Sequence, residues 1–208
     1  METRTRREEQ SEATRRDLLR VARGLFAERG YVGTSIDEIA RQARVTHGAI
    51  YHHFGGKQAL LRAVCEDLQR ELAERLRAAA RAEGRRELHL ERGCEAFLDS
   101  CMEPDFQRIV LLDAPAVLGW EAWHEMDARY GLGLLRDALE SAIDAGYFRP
   151  QPVDPLAHLI LGALTEAGHV IARADDAGAA RAEMGATLAA LLYGLKRRVA
   201  RASEVPAS

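Results

Sequence analysis

The chain has 208 residues, enough for one or two small domains with an ample core. Its 47% hydrophobic and 29% charged content is ordinary for a soluble globular protein; no run of eighteen apolar residues occurs and residues 1–10 are too polar for a secretory signal, so the expectation is a cytoplasmic protein without a membrane span. The net charge of −3 excludes a wholly basic nucleic-acid binder, yet residues 1–60 hold 11 Lys plus Arg against 8 Asp plus Glu, a basic head on an acidic body.

Residues 1–12 are charged and lack an apolar period, which reads as a mobile segment. Arg4, Arg6 and Arg7 make it either a solvated tail or an arm for phosphates or a minor groove. From Ala13 to Arg29, Leu18, Ala22, Leu25 and Phe26 form a helical stripe, Gly30 stands where a C-cap belongs, and Tyr31 follows as an apolar plug. Ser35 and Glu38 have the spacing of a capping box, with the Ser side chain on the third helical N–H and Glu38 reaching back to the cap. A helix therefore starts at Ile36, with Ile36, Ile39, Ala40 and Ala43 on one face. Thr46 can cap the next helix through its hydroxyl, over His47 to Phe54. Ala49, Ile50 and Phe54 face a core there, leaving Thr46, His47, Gly48, Tyr51 and His52 outward. A face so poor in charge, of small, hydroxyl and imidazole groups, suits a helix laid in a major groove.

The stretch from Gly30 to Leu60 reads G-Y-x-x-T-S-I-x-x-I-A-x-x-A-x-V-T-x-G-A-I-Y-H-H-F-x-x-K-x-x-L. It resembles the N-terminal domain of the TetR family of bacterial transcriptional regulators. The resemblance implies an all-α protein of about nine helices, with a three-helix helix-turn-helix domain over residues 12–58. A long helix would join that head to an effector-binding and dimerisation domain over residues 59–208. It also implies that Thr46, Gly48, Tyr51 and His52 touch operator DNA, and that Lys57 contacts a phosphate. His47 sits where the family often places a base reader. Thr34 is either a second phosphate contact or a capping residue. Arg44 departs from the family's usual glycine; a left-handed backbone there costs a non-glycine residue about 1 kcal/mol, and a phosphate contact is one reason to tolerate it. His53 reads as a packed or solvated histidine.

Beyond the head, Leu60, Leu61, Val64, Cys65, Leu68, Leu72 and Leu76 keep helical spacing from Lys57 to Ala82, a rod of about 39 Å. In the family this fourth helix carries displacement from body to head. Gly84 marks a break, Leu88 to Met102 is helical, Pro104 can start another helix, and Pro115 interrupts again. Trp120 to Ala145 forms a long helix with Trp123, Met126, Tyr130, Leu134, Ala138 and Ile143 near one face, closed by Gly146. Pro155 to Ala174 has almost no polar side and is expected to be buried nearly all round. The last helix, from Gly178 to Arg201, sets Met184, Leu188, Leu191, Leu192, Leu195 and Val199 on one stripe. The two last helices are expected to pair with their copies in a homodimer, the alternative being that both fill the monomer core.

Cys65, Cys94 and Cys101 lack metal-ligand spacing and read as buried apolar residues; no disulfide, metal or cofactor is expected, although Cys94 and Cys101 share a helical face. His158, Thr165 and His169 share one face of the apolar helix and need polar partners, which a ligand could provide. Phe97, Met102, Phe106, Trp120, Trp123, His124 and Tyr130 can supply an aromatic, apolar wall, or simply core. The leading functional reading is a repressor that leaves double-stranded operator DNA when a small hydrophobic or amphipathic molecule enters the body. One alternative keeps the DNA-binding head and makes the body a protein-interaction or purely dimerising module. An enzyme using Glu121, His124, Glu125 or Glu166 is the third, without a supporting catalytic motif.

Overall fold

The structure, a computed structural model, describes residues 6–196, with side chains from residue 8 onward. Among these residues nine α-helices form the fold: α1 (Arg6–Arg29), α2 (Ile36–Ala43), α3 (His47–Phe54), α4 (Lys57–Ala82), α5 (His89–Ser100), α6 (Ala114–Leu118), α7 (Trp120–Asp144), α8 (Val153–Arg173) and α9 (Ala177–Tyr193). A 3₁₀ turn (Arg86–Leu88) precedes α5, and a π-helix (Phe106–Asp113) runs into α6. The all-α architecture with a helix-turn-helix head matches the expectation.

The first helix starts earlier than its apolar stripe. Glu8 and Glu9 in its first turn complement the positive N-terminal dipole, and the Thr14 hydroxyl bonds back to the Gln10 carbonyl at 3.0 Å. Residues 6–12 are therefore helical rather than a free segment. Arg4 lies outside the described residues, as do the side chains of Arg6 and Arg7. Leu18, Ala22, Leu25 and Phe26 are buried as the period predicts, against Ile39, Ile50, Leu60 and Leu61. Burying such a side chain stabilises by about 1.5–3 kcal/mol, so the head is held by α1, the helix pair and the first turns of α4 together.

Pro115 does not break the chain as expected. A proline inside a helix removes an N–H and crowds the carbonyl one turn back; here the preceding turns widen into a π-helix, whose Ala114 N–H reaches the Ile109 carbonyl. In that wider pattern the Val110 carbonyl would pair with residue 115, which has no N–H. The indole Nε1 of Trp123 donates to it instead, at 2.8 Å.

Two terminal elements also differ from the sequence reading. On α8, Ala157, Ile160, Leu161, Leu164, Ala167 and Ile171 are buried, but Leu159 is 72% and Val170 39% exposed, so the helix is not buried all round. By length and composition α8 could cross a membrane, yet half of the qualifying window is buried in the body. The last helix stops at Tyr193, where the Gly194 N–H closes the final turn. The chain then returns beside residues 148–149, with an isolated bridge between Phe148 and Lys196 and the Arg149 N–H on the Leu195 carbonyl at 3.0 Å. Leu188 and Leu192 are buried while Leu191 points outward; Val199 and Arg201 lie outside the described residues.

Candidate nucleic-acid interface and internal cavity

The head is set by local chemistry. The Ser35 hydroxyl accepts the Glu38 N–H at 3.1 Å, the expected N-cap. Glu38 does not complete the box: its carboxylate pairs with Arg29 and, at 3.7 Å, with Arg41, since a guanidinium is a stronger donor than a neutral backbone N–H. Between the two helices Arg44 is left-handed (φ 55°, ψ 38°), the one non-glycine residue with positive φ among those described. Its guanidinium is exposed beside the turn.

The outward face of α3 holds Thr46, His47, Gly48, Tyr51 and His52 together, all exposed, over a buried Ile50. Thr46 occupies the N-cap position, but its side chain makes no capping bond; the Ala49 N–H goes to its carbonyl at 3.0 Å, which leaves the hydroxyl free to turn outward. His47 lies 3.6 Å from Asp37 and its ring 5.2 Å from that of Tyr51. A Cβ added at Gly48 would meet nothing in the protein closer than the Thr46 hydroxyl at 3.9 Å. The open space there belongs to whatever α3 approaches.

Thr34 is corrected. It is 1% exposed, and its hydroxyl donates within a pair of carbonyl contacts, to Leu25 at 3.1 Å and Gly30 at 2.9 Å, so it closes the end of α1 and does not reach a phosphate. Lys57 begins α4 with its ammonium 4.1 Å from the Tyr31 ring centroid; partial burial lowers its pKa, and Asp113 works against that shift. Arg15 was not anticipated. It is exposed one turn before Leu18, and its guanidinium lies 5.3 Å over the Phe54 ring at the end of α3.

The π-helix and α6 dock the body onto this head. Asp113 Oδ2 accepts the Tyr31 N–H at 2.6 Å and lies 3.3 Å from Arg108 Nε. Gln58 Nε2 donates to the Val117 carbonyl at 2.8 Å, and Arg23 bridges Asp105 and Glu71. Gly30, at φ 70°, leaves room for the Arg108 guanidinium, which a Cβ would strike.

A cavity of about 290 Å³ opens between α4, α5, α7 and α8. At its base Asp127 is 8% exposed and accepts hydrogen bonds from Gln69 Nε2 and Thr165 Oγ1, both at 3.1 Å. Burial raises the Asp127 pKa, and these two bonds together with His124 and His169 partly restrain the rise. Leu134 and Ala138, expected on the packed face of α7, line the cavity instead, beside Tyr130.

Of the aromatic and polar residues read as ligand candidates, Phe97, Tyr130 and Thr165 line this cavity. The others lie elsewhere. Phe106 packs edge-on against Phe97 at 6.4 Å, Trp123 serves the Val110 carbonyl, and Trp120 stacks on His124 at 5.8 Å. His169 is buried 5.4 Å from Trp123, whereas Met102 and His158 are exposed. Only part of the His158, Thr165 and His169 face is inside, because the first turns of α8 stand at the rim. Gln69 and Asp127 were missed, although each is a polar residue within an apolar stripe, one turn from Leu72 and Trp123 respectively. The three cysteines are free and buried; burial pushes the thiols of Cys65 and Cys94 up to about 12 and that of Cys101 higher still, which keeps them protonated and unreactive. Glu121, Glu125 and Glu166 are exposed and converge on no acid–base site.

Residues 88–195 match the family described as tetracyclin repressor-like, C-terminal domain, and residues 18–64 match that described as bacterial regulatory proteins, tetR family. The chain is 29% identical to the transposon Tn10 TetC protein of Escherichia coli over 162 residues, 78% of this chain and 82% of that protein. The structure of a TetR-family transcriptional regulator from Pectobacterium atrosepticum is 41% identical with a TM-score of 0.84, covering 93% of this chain and 98% of that one. RolR in complex with resorcinol is 24% identical with a TM-score of 0.68, covering 91% and 96%, a likeness of fold.

Proposed function

The chain belongs to the TetR family of DNA-binding transcriptional regulators, which are not enzymes, and from that premise we propose that it is a homodimeric repressor of a near-palindromic operator, released when a small hydrophobic or amphipathic molecule enters the cavity. The observation that carries this reading is that a single helix, α4, holds Lys57 at the head and Gln69 in the cavity wall. From Lys57 to Gln69 is about 18 Å of continuous helix. A ligand that moves the cavity wall therefore moves the end of α4 against Tyr31 and α3.

Thr46, His47, Gly48, Tyr51, His52 and Lys57 are the DNA-contacting set, with Arg44 and Arg15 beside them on the same end. Small and polar groups on α3 read base edges, while the cations and Tyr51 hold phosphates and set register. Two such helices must stand about 34 Å apart to enter successive major grooves. The second copy docks on α8 and α9, where Leu159, Leu191 and Tyr193 are 72%, 62% and 72% exposed among alanines and glycines that permit close approach. An effector that favours a different head separation weakens DNA binding by the coupling free energy, typically about 1–3 kcal/mol. The RolR–resorcinol complex supports a body that takes a small molecule, as does the cavity itself, which a purely dimerising body would not require. The same reading extends to a cytoplasmic location, where a regulator meets its operator.

The test is a mobility shift on the DNA flanking its own gene, at moderate salt, with and without hydrophobic small molecules. Specific retardation by a dimer, reversed by one of them, is the expected result. No specific binding to any flanking DNA would remove the operator reading; specific binding that no compound reverses would leave the body as a dimerising module.

A further inference from the structure

We propose that the effector is an elongated amphipathic anion, with a carboxylate or phosphate head on Arg77, Arg81 and Arg86, an apolar chain along the cavity, and a hydroxyl that donates to Asp127 at its base. This rests on the cavity being the effector site.

The cavity is a slot with two unlike ends. Gln69 and Arg81 both line it and stand about 18 Å apart along α4. Its middle is apolar, with Leu72, Leu76, Leu90, Leu134, Leu161 and Leu164 in the walls. The outer end carries Arg77, Arg81 and Arg86, all exposed, with His89 beside them. Neighbouring arginines have carboxylate partners: Arg75 pairs with Glu103, Arg85 with Glu87 at 3.1 Å, and Arg92 with Glu83 at 2.7 Å. Among the described residues the three that line the slot have none. Against them the outer end sets one exposed carboxylate, Asp137. Guanidinium forks in that number match the oxygens of a carboxylate or phosphate.

The inner end has the opposite character. Asp127 faces the slot with one hydrogen bond on each oxygen and, among the described residues, no Lys or Arg ion pair. A carboxylate oxygen has two acceptor sites, so each retains one directed for a donor. An apolar terminus there would strip the carboxylate of water without compensation, whereas a hydroxyl supplies the missing bond. A slot that is cationic at the mouth and anionic at the base selects the direction in which a ligand enters as well as its class.

The experiment uses the full-length dimer and isothermal titration with four probes of one chain length: dodecanoate, dodecyl phosphate, ω-hydroxydodecanoate and dodecyltrimethylammonium. The anions bind, the phosphate and carboxylate arms identify the preferred head, and the hydroxyl adds about tenfold over dodecanoate. Arg77→Gln with Arg81→Gln weakens every anion by about tenfold or more while the protein stays folded, since both side chains are exposed. Asp127→Asn removes the buried charge and is expected to abolish the advantage of ω-hydroxydodecanoate over dodecanoate. Ammonium binding as tight as carboxylate, indifference to the arginine variant, or equal affinity with and without the hydroxyl would each overturn the proposal. Binding without release of operator DNA would instead sink the regulatory reading while leaving the ligand class standing.

Discussion

The carboxylate of Asp113, on the last turn of the π-helix, accepts the backbone N–H of Tyr31, at the end of the first helix of the head, at 2.6 Å. The Tyr31 ring in turn lies under the Lys57 ammonium at 4.1 Å. Body, head and the first residue of the connecting helix thus meet in two consecutive contacts, and a charged acceptor makes the first of them strong. Asp113→Ala leaves a partly buried N–H unpaired and is expected to lower stability by about 1–2 kcal/mol, a fall of several degrees in Tm. It also loosens the head from the body, so operator affinity becomes less sensitive to effector. Thermal unfolding and a mobility shift with and without effector measure the two effects separately.

Thr34 admits a phosphate or a capping reading from sequence and Lys57 a phosphate one, and the structure gives the two residues different surroundings. Thr34→Val removes two buried hydrogen-bond contacts at the end of α1 and should destabilise by about 1–2 kcal/mol with an unchanged salt dependence of DNA binding. Lys57→Ala and Tyr51→Ala should abolish operator binding at moderate salt while the dimer persists, and Lys57→Ala should lower the salt slope by about one phosphate contact. A Thr34 variant with a lowered salt slope would contradict its buried role.

Arg44 holds a left-handed backbone that a glycine adopts without strain. Arg44→Gly is expected to raise the urea midpoint, by up to about 1 kcal/mol of stability, because relief of the left-handed conformation exceeds the added freedom of the unfolded chain. If the guanidinium serves a phosphate, operator affinity falls even as stability rises. Urea denaturation and binding at two salt concentrations read these opposed effects.

Burial raises the Asp127 pKa above its ordinary value, so the folded protein holds this proton more tightly than the unfolded chain does. As pH rises from the ordinary carboxylate range through the raised folded value, the unfolded state binds fewer protons, and stability declines. The contribution of Asp127 to stability is therefore greatest in acid and lost on neutralisation. Asp127→Asn is expected to flatten this part of the profile and to melt higher than the parent above it. Tm measured against pH for both proteins gives the comparison; a parent that gains stability from this residue on neutralisation would reverse the assignment.

Leu159 and Leu191 project from α8 and α9 with large exposed apolar areas. Leu159→Glu combined with Leu191→Glu places charge on the face assigned to the second copy. The expected product is a folded monomer that no longer binds operator, since one recognition helix alone spans one half-site. Light scattering gives the mass, circular dichroism the helix content, and a mobility shift the binding.

The head was legible because its instructions are local. Capping at Ser35, the apolar spacing through Leu18 and Phe26, and the small polar face of α3 are all fixed by residues within two turns of one another. Helical periodicity also placed α4, α7 and α8. It could not say which apolar residues line a cavity, since Tyr130 and Leu134 obey the same spacing whether they meet another helix or an empty slot. Nor could it foresee that Pro115 would widen the preceding turns instead of ending them, because the carbonyl it orphans is satisfied by Trp123 from the next helix.

By itself, then, the sequence determined a helical chain with a capped helix pair in its head and a long rod behind it, because helix formation, capping and amphipathic burial depend on near neighbours; the DNA-reading role came from the resemblance of that pair to the family. The tertiary structure decided that Gln69, Asp127 and Thr165 form one buried polar group, and that three arginines, without a carboxylate partner among the described residues, crown the same slot. It decided as well that Asp113 fastens the body to Tyr31. These groups come from segments far apart in the chain, and only the packing of four helices around one space brings their charges and hydrogen-bonding atoms within reach of each other.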